Sequence, residues 1–347
     1  MNLSELAHNV GHKPTARSPR GDDELAVALR NLADNLLLLC GDHHRVIDSS
    51  LTRGEFTVEA LHEIKRRHED RIEYLTGLGE DAETVVLRVV GAIRGGNVEL
   101  SEETVRAAIP SHTPRYPRYA IGYGGADIEL DLRGLPSEGT DGYWVAAASQ
   151  IRWVLDGPVR DGVRRGEIRH LSVFAIARMA LLALVGYHLD DKIPLDLYQK
   201  HRDGDQGWRW DDTATPVDFE LRRIRRGDDL ARAALVVSFS GTIAIEELPD
   251  TVVGCPVWEI RPVDVPGSPD ILRSFASLEN FASSYRDFLS RLEQDQPETS
   301  VVDVFPAVPV SAAITLGRAL MRDVHPALRL HERDSSGRFV PALELNR

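Results

Sequence analysis

Apolar positions along the chain change their spacing several times, and each change marks a predicted element. Two short apolar runs, SELAHNV and NLLLLC, predict strands on either side of a loop rich in Pro, Arg and Gly. Residues 57–75 then have the spacing of an amphipathic helix that begins after Thr57, a residue type that caps helices. The residues that recur at helical spacing are Leu61, Ile64, His68 and Ile72. We therefore predict a first domain over residues 1–75.

The residues that follow are predicted to connect this domain to a second one. TVVLRVVGAIRGG is typical of a buried strand, and ELSEETVRAAI predicts a short capped helix. SHTPRYPRY, whose prolines break any regular period, is the predicted linker, so the connecting segment covers residues 76–118. Strands and helices alternate over residues 119–347, which indicates an α/β domain with a mainly parallel sheet.

The second domain contains an internal duplication. VFAIARMALLALVG, starting at Val173, aligns without a gap with VFPAVPVSAAITLG, starting at Val304, and each residue of the second copy lies 131 positions after its equivalent. Each copy lies between two strand-like runs, so a strand–helix–strand unit is predicted twice. The pattern favours a pseudo-twofold pair of Rossmann-like halves, although two short apolar segments also match when they only share a similar core environment.

Composition narrows the class of protein. Hydrophobic residues make up 42% and charged residues 27% of the 347 positions, which is typical of a globular protein of two or more domains. The two cysteines, Cys40 and Cys255, predict no disulfide framework and a cytoplasmic location, and no signal peptide or membrane-spanning run is expected. Because the net charge is −13, nucleic acid would have to be bound by local basic patches such as Lys13, Arg17 and Arg20.

Side chains near the predicted strand ends are suited to a nucleotide. Ligands of parallel sheets bind at the carboxyl ends of strands, where helix N-termini offer N–H groups to phosphates. The loop YQKHRDGDQGWRW supplies Lys200, His201 and Trp208, since aromatic faces stack on bases and cations pair with phosphates. A tryptophan in such a loop equally often fills the edge of a core. No GxGxxG or GxxxxGK[ST] motif occurs, which disfavours ordinary dinucleotide and P-loop sites.

The two copies and their flanks resemble the halves of a SAVED domain, the cyclic-nucleotide sensor of bacterial CBASS antiphage systems. The resemblance is carried by HLSVFAIARMALLALVGYHLDDKIPLDLYQKHRDGDQGWRW and by VFPAVPVSAAITLGRALMRDVHPALRLHER. It implies two fused Rossmann-like (CARF-like) halves that bind a cyclic di- or trinucleotide, made by a partner cyclase, in the groove between them. The ligand-binding residues that it implies are Phe174, Arg178, Lys200, His201, Trp208, Ser238, Ser240, Phe305, Pro306 and Pro309.

The pattern ELAHNV…SPRGD…NLLLLCGDHHRVID is similar to the HNH endonuclease module that is fused to SAVED in one type of CBASS effector. On the pattern alone, paired histidines after a strand are more often surface residues. The resemblance implies a small ββα-metal fold in which His8 is the general base, Asn35 orients it, and His44 is a metal ligand. His43 would be a second ligand, and Mg²⁺ or another divalent cation would take up charge on the scissile phosphate. The residues implied to follow the DNA backbone are Lys13, Arg17 and Arg20.

The module departs from its family at the N-terminus. Family members carry several tens of residues before this motif, with cysteines that bind a structural zinc, whereas here the ELAH motif begins at residue 5. The module is therefore expected to be truncated, with a structural zinc only if that segment were present. Two hypotheses follow. One is a messenger-gated nuclease that oligomerises and degrades double-stranded DNA, and the other is a cyclic-nucleotide sensor with an inactive HNH remnant.

Overall fold

The structure is a computed structural model, and it divides into two compact units, Met1–Gly79 and Glu80–Arg347. It describes residues 4–77, 79–93, 96–97, 100–118, 127–138, 140–201 and 207–346. The boundary predicted at residue 119 lies outside the described residues, and the division between the units falls about 40 residues earlier, at Gly79.

The first unit has the predicted order of strand, strand and helix. Strand β1 (Ser4–His8) pairs antiparallel with β2 (Leu36–Cys40), and the helices α1 (Gly41–Asp48) and α2 (Val58–Gly77) follow. A small apolar core holds these elements together, and its buried members are Ala7, Leu37, Ile47 and Leu61.

Helix α2 forms where it was predicted, but it buries less of its surface. The Thr57 hydroxyl accepts a hydrogen bond from the Ala60 N–H at 3.2 Å, as expected of a cap. Leu61 is the one buried residue among the described side chains of α2, whereas Ile64 and Ile72 are 41% and 46% exposed. Pattern alone therefore overestimated the packing of this helix.

The second unit contains thirteen strands and six α-helices among the residues that the structure describes. Its first part comprises β3 (Glu83–Val90), β4 (Ala92–Ile93), β5 (Gly96–Asn97), α3 (Glu102–Ala108), β6 (Tyr116–Pro117), β7 (Ile128–Asp131), α4 (Asp141–Val154), α5 (Arg160–Arg164), β8 (Leu171–Ile176), α6 (Met179–Leu189) and β9 (Leu195–Leu197). Its second part comprises β10 (Phe219–Arg225), β11 (Arg232–Ser238), β12 (Val257–Pro262), α7 (Phe275–Asp295), β13 (Val301–Ala307), α8 (Val310–Arg318), β14 (Ala327–Arg333) and β15 (Phe339–Leu345).

These strands form two main sheets. The first is parallel, in the order β6-β3-β8-β9, with β7 also pairing with β3. The second has the order β10-β12-β11-β13-β14-β15 and is parallel except at its two outer pairs. The prediction of an α/β domain with mainly parallel strands agrees with both sheets.

The segment predicted as a connection belongs to the first sheet. Strand β3 lies inside that sheet, beside β8, and all of its residues from Val85 to Val90 pair in register with Leu171 to Ile176. Its apolar run is buried on both faces, which is the pattern of an inner parallel strand. Residues 76–118 are therefore not a simple linker, because most of them fold as part of the second unit.

The duplicated segments form two strand–helix–strand units, β8-α6-β9 and β13-α8-β14, in one sheet each. We call the part around the first sheet the first half and the part around the second sheet the second half. The equivalence is exact in position, since β8 and β13 end at Ile176 and Ala307, and α6 and α8 begin at Met179 and Val310. Each of these pairs is separated by the 131 positions of the sequence repeat.

Both sheets are covered on two faces. One face of each contributes alternate residues, such as Val173 and Val304, to a large core that also contains α4, α6, α7 and α8. The opposite faces carry Phe174 and Phe305 into two smaller clusters. In the described part of the chain, no helix is long and apolar enough to cross a membrane.

Candidate functional site

The two copies of the repeat meet where α6 and α8 cross. A Cβ atom placed on Gly186 would lie 1.9 Å from the Ile314 carbonyl oxygen, and one placed on Gly317 would lie 1.8 Å from the Ala183 carbonyl oxygen. Both contacts join the same pair of repeat positions in reciprocal order, as a twofold axis requires. The backbones therefore touch without intervening side chains, and only glycine fits at either position.

This crossing brings two helix N-termini to the same edge of the molecule. Strand β8 leads through Ala177 and Arg178 into α6, and β13 leads through Val308 and Pro309 into α8. Because all four repeat strands are parallel within their sheets, both turns lie at strand carboxyl ends. We call this region the carboxyl edge, and it is the place that the sequence predicted for the ligand.

Each N-terminus at the carboxyl edge is capped by a side chain from the other half. Glu332 Oε1, in β14, accepts a hydrogen bond of 2.8 Å from the Ala180 N–H in the first turn of α6. Gln199 Oε1, just after β9, accepts from the Ser311 N–H at 3.2 Å and from the Ser311 hydroxyl at 2.8 Å. Ala180 and Ser311 are equivalent repeat positions, so the two cross-links are reciprocal, but one cap is a carboxylate and the other is a neutral amide.

Arg178 is the cation nearest to the α6 cap. Its Nη2 lies 3.0 Å from Glu332 Oε2 and donates to the Arg333 carbonyl at 2.9 Å. Its Nη1 lies 3.6 Å from Glu138 Oε2, so one guanidinium faces two carboxylates. Burial raises the pKa of Glu332, and Arg178 and the Ala180 N–H only partly offset that effect.

Four predicted ligand-binding residues lie at this edge, and part of the surface of Lys200, Ser240 and Pro306 is accessible. The Lys200 ammonium lies 5.5 Å from the centre of the Trp208 ring. Ser240 donates its N–H to the Ala307 carbonyl at 2.7 Å, next to the half-buried Pro306. Pro309 is buried directly before α8, where its ring fixes the entry into the helix.

The aromatic residues predicted to stack on bases are instead part of the core. Trp208 is 2% exposed and packs its edge against Phe174, which in turn stacks on Tyr198. Phe305 is fully buried and stacks on His331 at 4.4 Å. Their rings are already covered by protein on the outer faces of the two sheets, so the structure does not present them to a ligand as the sequence predicted.

Two polar residues of the same prediction are also buried. The Ser238 hydroxyl donates to Glu259 Oε1 at 3.0 Å, within the second sheet. His201 is 8% exposed and packs edge-on against Trp210, with 6.0 Å between ring centres. These contacts hold the carboxyl edge in shape rather than present the side chains to a ligand.

A separate cavity of about 590 Å³ lies away from the carboxyl edge. It is bounded by β9, by one face of α7 and by the C-terminal half of α8, with Arg286, Arg318 and His325 in its wall. Charges of both signs line it, since Glu279 and Glu293 also contribute. Because the residues that α8 contributes, Thr315 and Arg318, lie in its C-terminal half, the cavity does not coincide with the two helix N-termini.

In the first unit, His8 is held by a residue that the sequence analysis did not select. His8 Nε2 lies 3.0 Å from Asn31 Oδ1, and His12 Nδ1 lies 3.1 Å from the same oxygen. Asn35 is buried elsewhere: it accepts from the Val10 N–H at 2.8 Å and donates to the Val10 carbonyl at 2.9 Å. Asn31, not Asn35, thus orients His8, and Asn35 fixes the loop that joins β1 to β2.

The predicted metal ligands do not converge. His44 Nδ1 lies 2.8 Å from Glu5 Oε2, and His44 Nε2 lies 3.4 Å from Asp48 Oδ2. The two ring nitrogens point away from each other, so these carboxylates cannot share one ion with the ring. His43 Nδ1 contacts the Cys40 thiol at 3.1 Å. Among the described residues, no three His, Cys, Asp or Glu side chains are arranged to hold a metal, and the prediction of such a site does not fit this geometry.

The three arginine and lysine residues predicted to contact DNA differ in exposure. Lys13 and Arg17 are exposed in the loop between β1 and β2. Arg20 is 7% exposed and donates to the carbonyls of Asn9 and Ile47 at 2.6 and 2.7 Å. Arg20 is therefore a structural residue of the loop and cannot follow a DNA backbone as predicted.

The sequence analysis missed Glu332, Gln199, Asn31 and His12. A signal was present for His12, since it follows His8 by only four positions, in the loop after β1. For Glu332 and Gln199 no local pattern exists, because each acts on a helix that is more than 100 residues away in the chain.

Residues 154–345 match the family described as SAVED, the SMODS-associated and fused to various effectors sensor domain. The match covers more than half of the chain and includes both copies of the repeat. The chain belongs to this family of sensor domains. No curated protein matches it.

Solved structures with a similar fold include Cap4 SAVED/CARF-domain containing receptors. The Acinetobacter baumannii receptor with the cyclic trinucleotide 2'3'3'-cAAA is 15% identical with a TM-score of 0.50, covering 84% of this chain and 57% of that one. The same receptor with 3'3'3'-cAAA is 16% identical with a TM-score of 0.47, covering 66% and 50%. The Moraxella osloensis receptor is 15% identical with a TM-score of 0.46, covering 94% and 62%. This chain thus spans about half to three fifths of the length of these receptors.

Proposed function

We propose that this protein is a CBASS effector whose second unit senses a cyclic oligonucleotide. The observation that carries the proposal is the pair of reciprocal helix N-termini at the carboxyl edge, within a SAVED domain. A cyclic di- or trinucleotide presents several phosphates around one ring, and two neighbouring helix N-termini suit such a ligand. The Acinetobacter receptor of similar fold was solved with cyclic trinucleotides, which supports the same ligand class here.

In this proposal Arg178 is the main phosphate-binding cation. It directly precedes α6 and its side chain is 16% exposed, and its guanidinium can donate two parallel hydrogen bonds to a phosphate. Lys200 adds a second cation from the loop after β9. The ligand's bases would contact the half-buried surface near Pro306 and Ser240 rather than the rings of the core.

Calorimetric titration with a panel of cyclic di- and trinucleotides, including 3'3'3'-cAAA and 2'3'3'-cAAA, tests this function. We expect one member to bind tightly, and Arg178→Ala to weaken its affinity at least about tenfold, the scale of a charged hydrogen bond. Arg160→Ala is the matched control, because Arg160 contacts Asp156 and the His188 carbonyl at the opposite end of α6. Absence of binding across the panel would overturn the proposal.

We further propose that the first unit is an HNH-type endonuclease which degrades double-stranded DNA when ligand binding drives oligomerisation. The order β1-β2-α1, with His8 at the end of β1 and His44 in α1, supports this assignment. His8 would act as general base with Asn31 orienting its ring, while Lys13 and Arg17 contact phosphates. The carboxylates of Glu5 and Asp48 contact opposite ring nitrogens of His44, so these side chains do not fit a single metal ion.

The same lack of convergence favours a second candidate, a cyclic-nucleotide sensor with an inactive HNH remnant. A cleavage assay on plasmid DNA, with the messenger and with Mg²⁺ varied, separates the two. A nuclease should cut only with messenger, and His8→Ala should abolish cutting while binding persists. His68→Ala, an exposed histidine of α2, is the control. Messenger binding without cutting at any Mg²⁺ concentration would leave the sensor as the function.

A further inference from the structure

The two caps at the carboxyl edge are unequal in charge. Gln199 caps α8 with a neutral amide, whereas Glu332 caps α6 with a carboxylate that is 9% exposed. A carboxylate at a helix N-terminus occupies the position that a phosphate oxygen prefers. In this structure, the protein itself therefore supplies the anion on the α6 side.

Three polar atoms of the cluster around Glu332 are buried without a hydrogen-bond partner among the described residues. Two can donate, the Nε of Arg178 and the hydroxyl of Tyr143, and the third is an acceptor, the Oε1 of Glu138. Tyr143 is 2% exposed, and the charges of Glu138, Arg178 and Glu332 all act on its hydroxyl. Unpaired buried donors cost free energy, so this cluster has capacity for a larger anion than one carboxylate.

A phosphate cannot simply join this cluster as it stands. Arg178 already faces Glu332 at 3.0 Å and Glu138 at 3.6 Å, so an incoming phosphate meets two like charges beside the cation that would bind it. It can take the place of the Glu332 carboxylate, because it offers more acceptor oxygens to the same donors.

We propose that Glu332 is an affinity-determining plug, which a phosphate of the cyclic oligonucleotide displaces from Arg178 and the Ala180 N–H. This inference rests on the proposed sensor function and names a regulation of the same site. The Tyr143 hydroxyl would donate a hydrogen bond to the same phosphate. Since Glu332 lies in β14 and Arg178 precedes α6, the exchange breaks a cross-link between the two halves. The neutral Gln199 cap on α8 carries no charge that a phosphate must displace.

The test compares Glu332→Gln with the wild-type protein by calorimetric titration with 3'3'3'-cAAA, 2'3'3'-cAAA and a set of cyclic dinucleotides. The amide keeps an acceptor for the Ala180 N–H but releases Arg178, so we expect affinity to rise about tenfold. Gln199→Glu, the opposite change on α8, should lower it. Glu298→Gln, on an exposed loop, is the control and should leave affinity unchanged.

A second variant does not depend on the stability of Glu332→Gln. Tyr143→Phe should keep the fold, because the hydroxyl has no partner among the described residues, and should weaken binding about threefold to tenfold. Equal or weaker binding by a folded Glu332→Gln, or unchanged binding by Tyr143→Phe, would overturn the plug while the wild-type titration still supported the sensor. Failure of every protein to bind any ligand would instead reject the sensor function itself.

Discussion

The two halves of the second unit have equivalent strands and helices, but their buried polar side chains differ. Ser172 and Asp303 occupy equivalent positions of β8 and β13. Ser172 belongs to a neutral network, in which the Thr84 hydroxyl lies 3.0 Å from Ser172 Oγ and 2.9 Å from His170 Nδ1. Asp303 instead pairs with Arg232 at 2.6 Å and His331 at 2.7 Å. The same strand–helix–strand backbone thus tolerates either set of polar contacts. The two caps at the carboxyl edge differ in the same way, since one is charged and the other is neutral.

The largest effect is expected where the halves are identical. Gly186→Ala and Gly317→Ala each drive a methyl group into a backbone carbonyl of the other helix, so the whole contact between α6 and α8 must open. We expect each to lower the free energy of unfolding by more than about 3 kcal/mol, measured by urea denaturation.

A glycine with open space around it provides the control for this pair. Gly142→Ala in α4 meets nothing within 4 Å and should be neutral or stabilising by up to about 1 kcal/mol. A large difference between Gly186→Ala and Gly317→Ala would contradict the reciprocal crossing.

Substitutions at the equivalent strand positions should separate the halves. Burial alone would raise the pKa of Asp303, but the hydrogen bonds from His331 and Arg232 outweigh it and hold that pKa below its usual range. Asp303→Asn leaves Arg232 without its carboxylate, and we expect a loss of about 2–3 kcal/mol. Ser172→Ala removes one neutral hydrogen bond and should cost about 1 kcal/mol.

Both variants can be measured by urea denaturation under the same conditions. Arg232 is 27% exposed and can be partly rehydrated, which is why the loss for Asp303→Asn stays at the lower end for a buried pair. Equal costs at the two positions would show that the two polar interiors are energetically equivalent.

The dependence of stability on pH should also differ between the halves. Burial lowers the pKa of His170 to about 4, because the imidazolium would lose its hydration. Below pH 6.5 His170 is protonated in the unfolded chain, whereas in the folded protein it stays neutral down to about pH 4. The free energy of unfolding therefore falls as the pH drops from 6.5 to about 4. The contribution of Asp303 is lost only below its unfolded pKa of 3.8.

Urea denaturation between pH 7 and pH 4 checks the window. Burial also lowers the pKa of His112, His188 and His325, which add to the same slope. His170→Gln isolates the share of His170 and should flatten the curve. An unchanged slope in that variant would assign the whole effect to the other histidines.

The smallest effect is expected from the neutral cap. Gln199→Ala removes the acceptor for the Ser311 N–H and hydroxyl, and we expect a loss of about 1 kcal/mol in urea denaturation. A Ser311→Ala variant, which removes only the hydroxyl, should lose less. If the two variants lose the same amount, the hydroxyl and not the helix N–H carries the contact.

How far the sequence predicts the structure depends on the kind of contact. The repeat of apolar residues located both strand–helix–strand units and their offset of 131 positions, because packing on α6 and α8 is set by spacing within one segment. The sequence pattern did not show whether Trp208 and Phe174 pack in a core or face a ligand. A sheet covered on both faces makes the two patterns alike.

Long-range polar contacts were the other limit. Asn31 lies 23 positions after His8 in the chain and Asn35 lies four positions further on, and only the folded backbone decides that Asn31 reaches the ring. Glu332 meets the first turn of α6 across 152 positions of the chain. No periodicity encodes a partner at that distance, so the plug could be found only in three dimensions.

The crossing of α6 and α8 restricts how the two halves can move. Helices separated by side chains can slide, since rotamers adjust as ridges pass over grooves. Where Gly186 and Gly317 bring backbone against backbone, no rotamer exists to adjust, and sliding by one residue would replace a glycine with a side chain. Turning about that point keeps both contacts. The crossing therefore permits rotation but not sliding, and a rotation that moves the N-terminal ends of the two helices also moves their C-terminal ends.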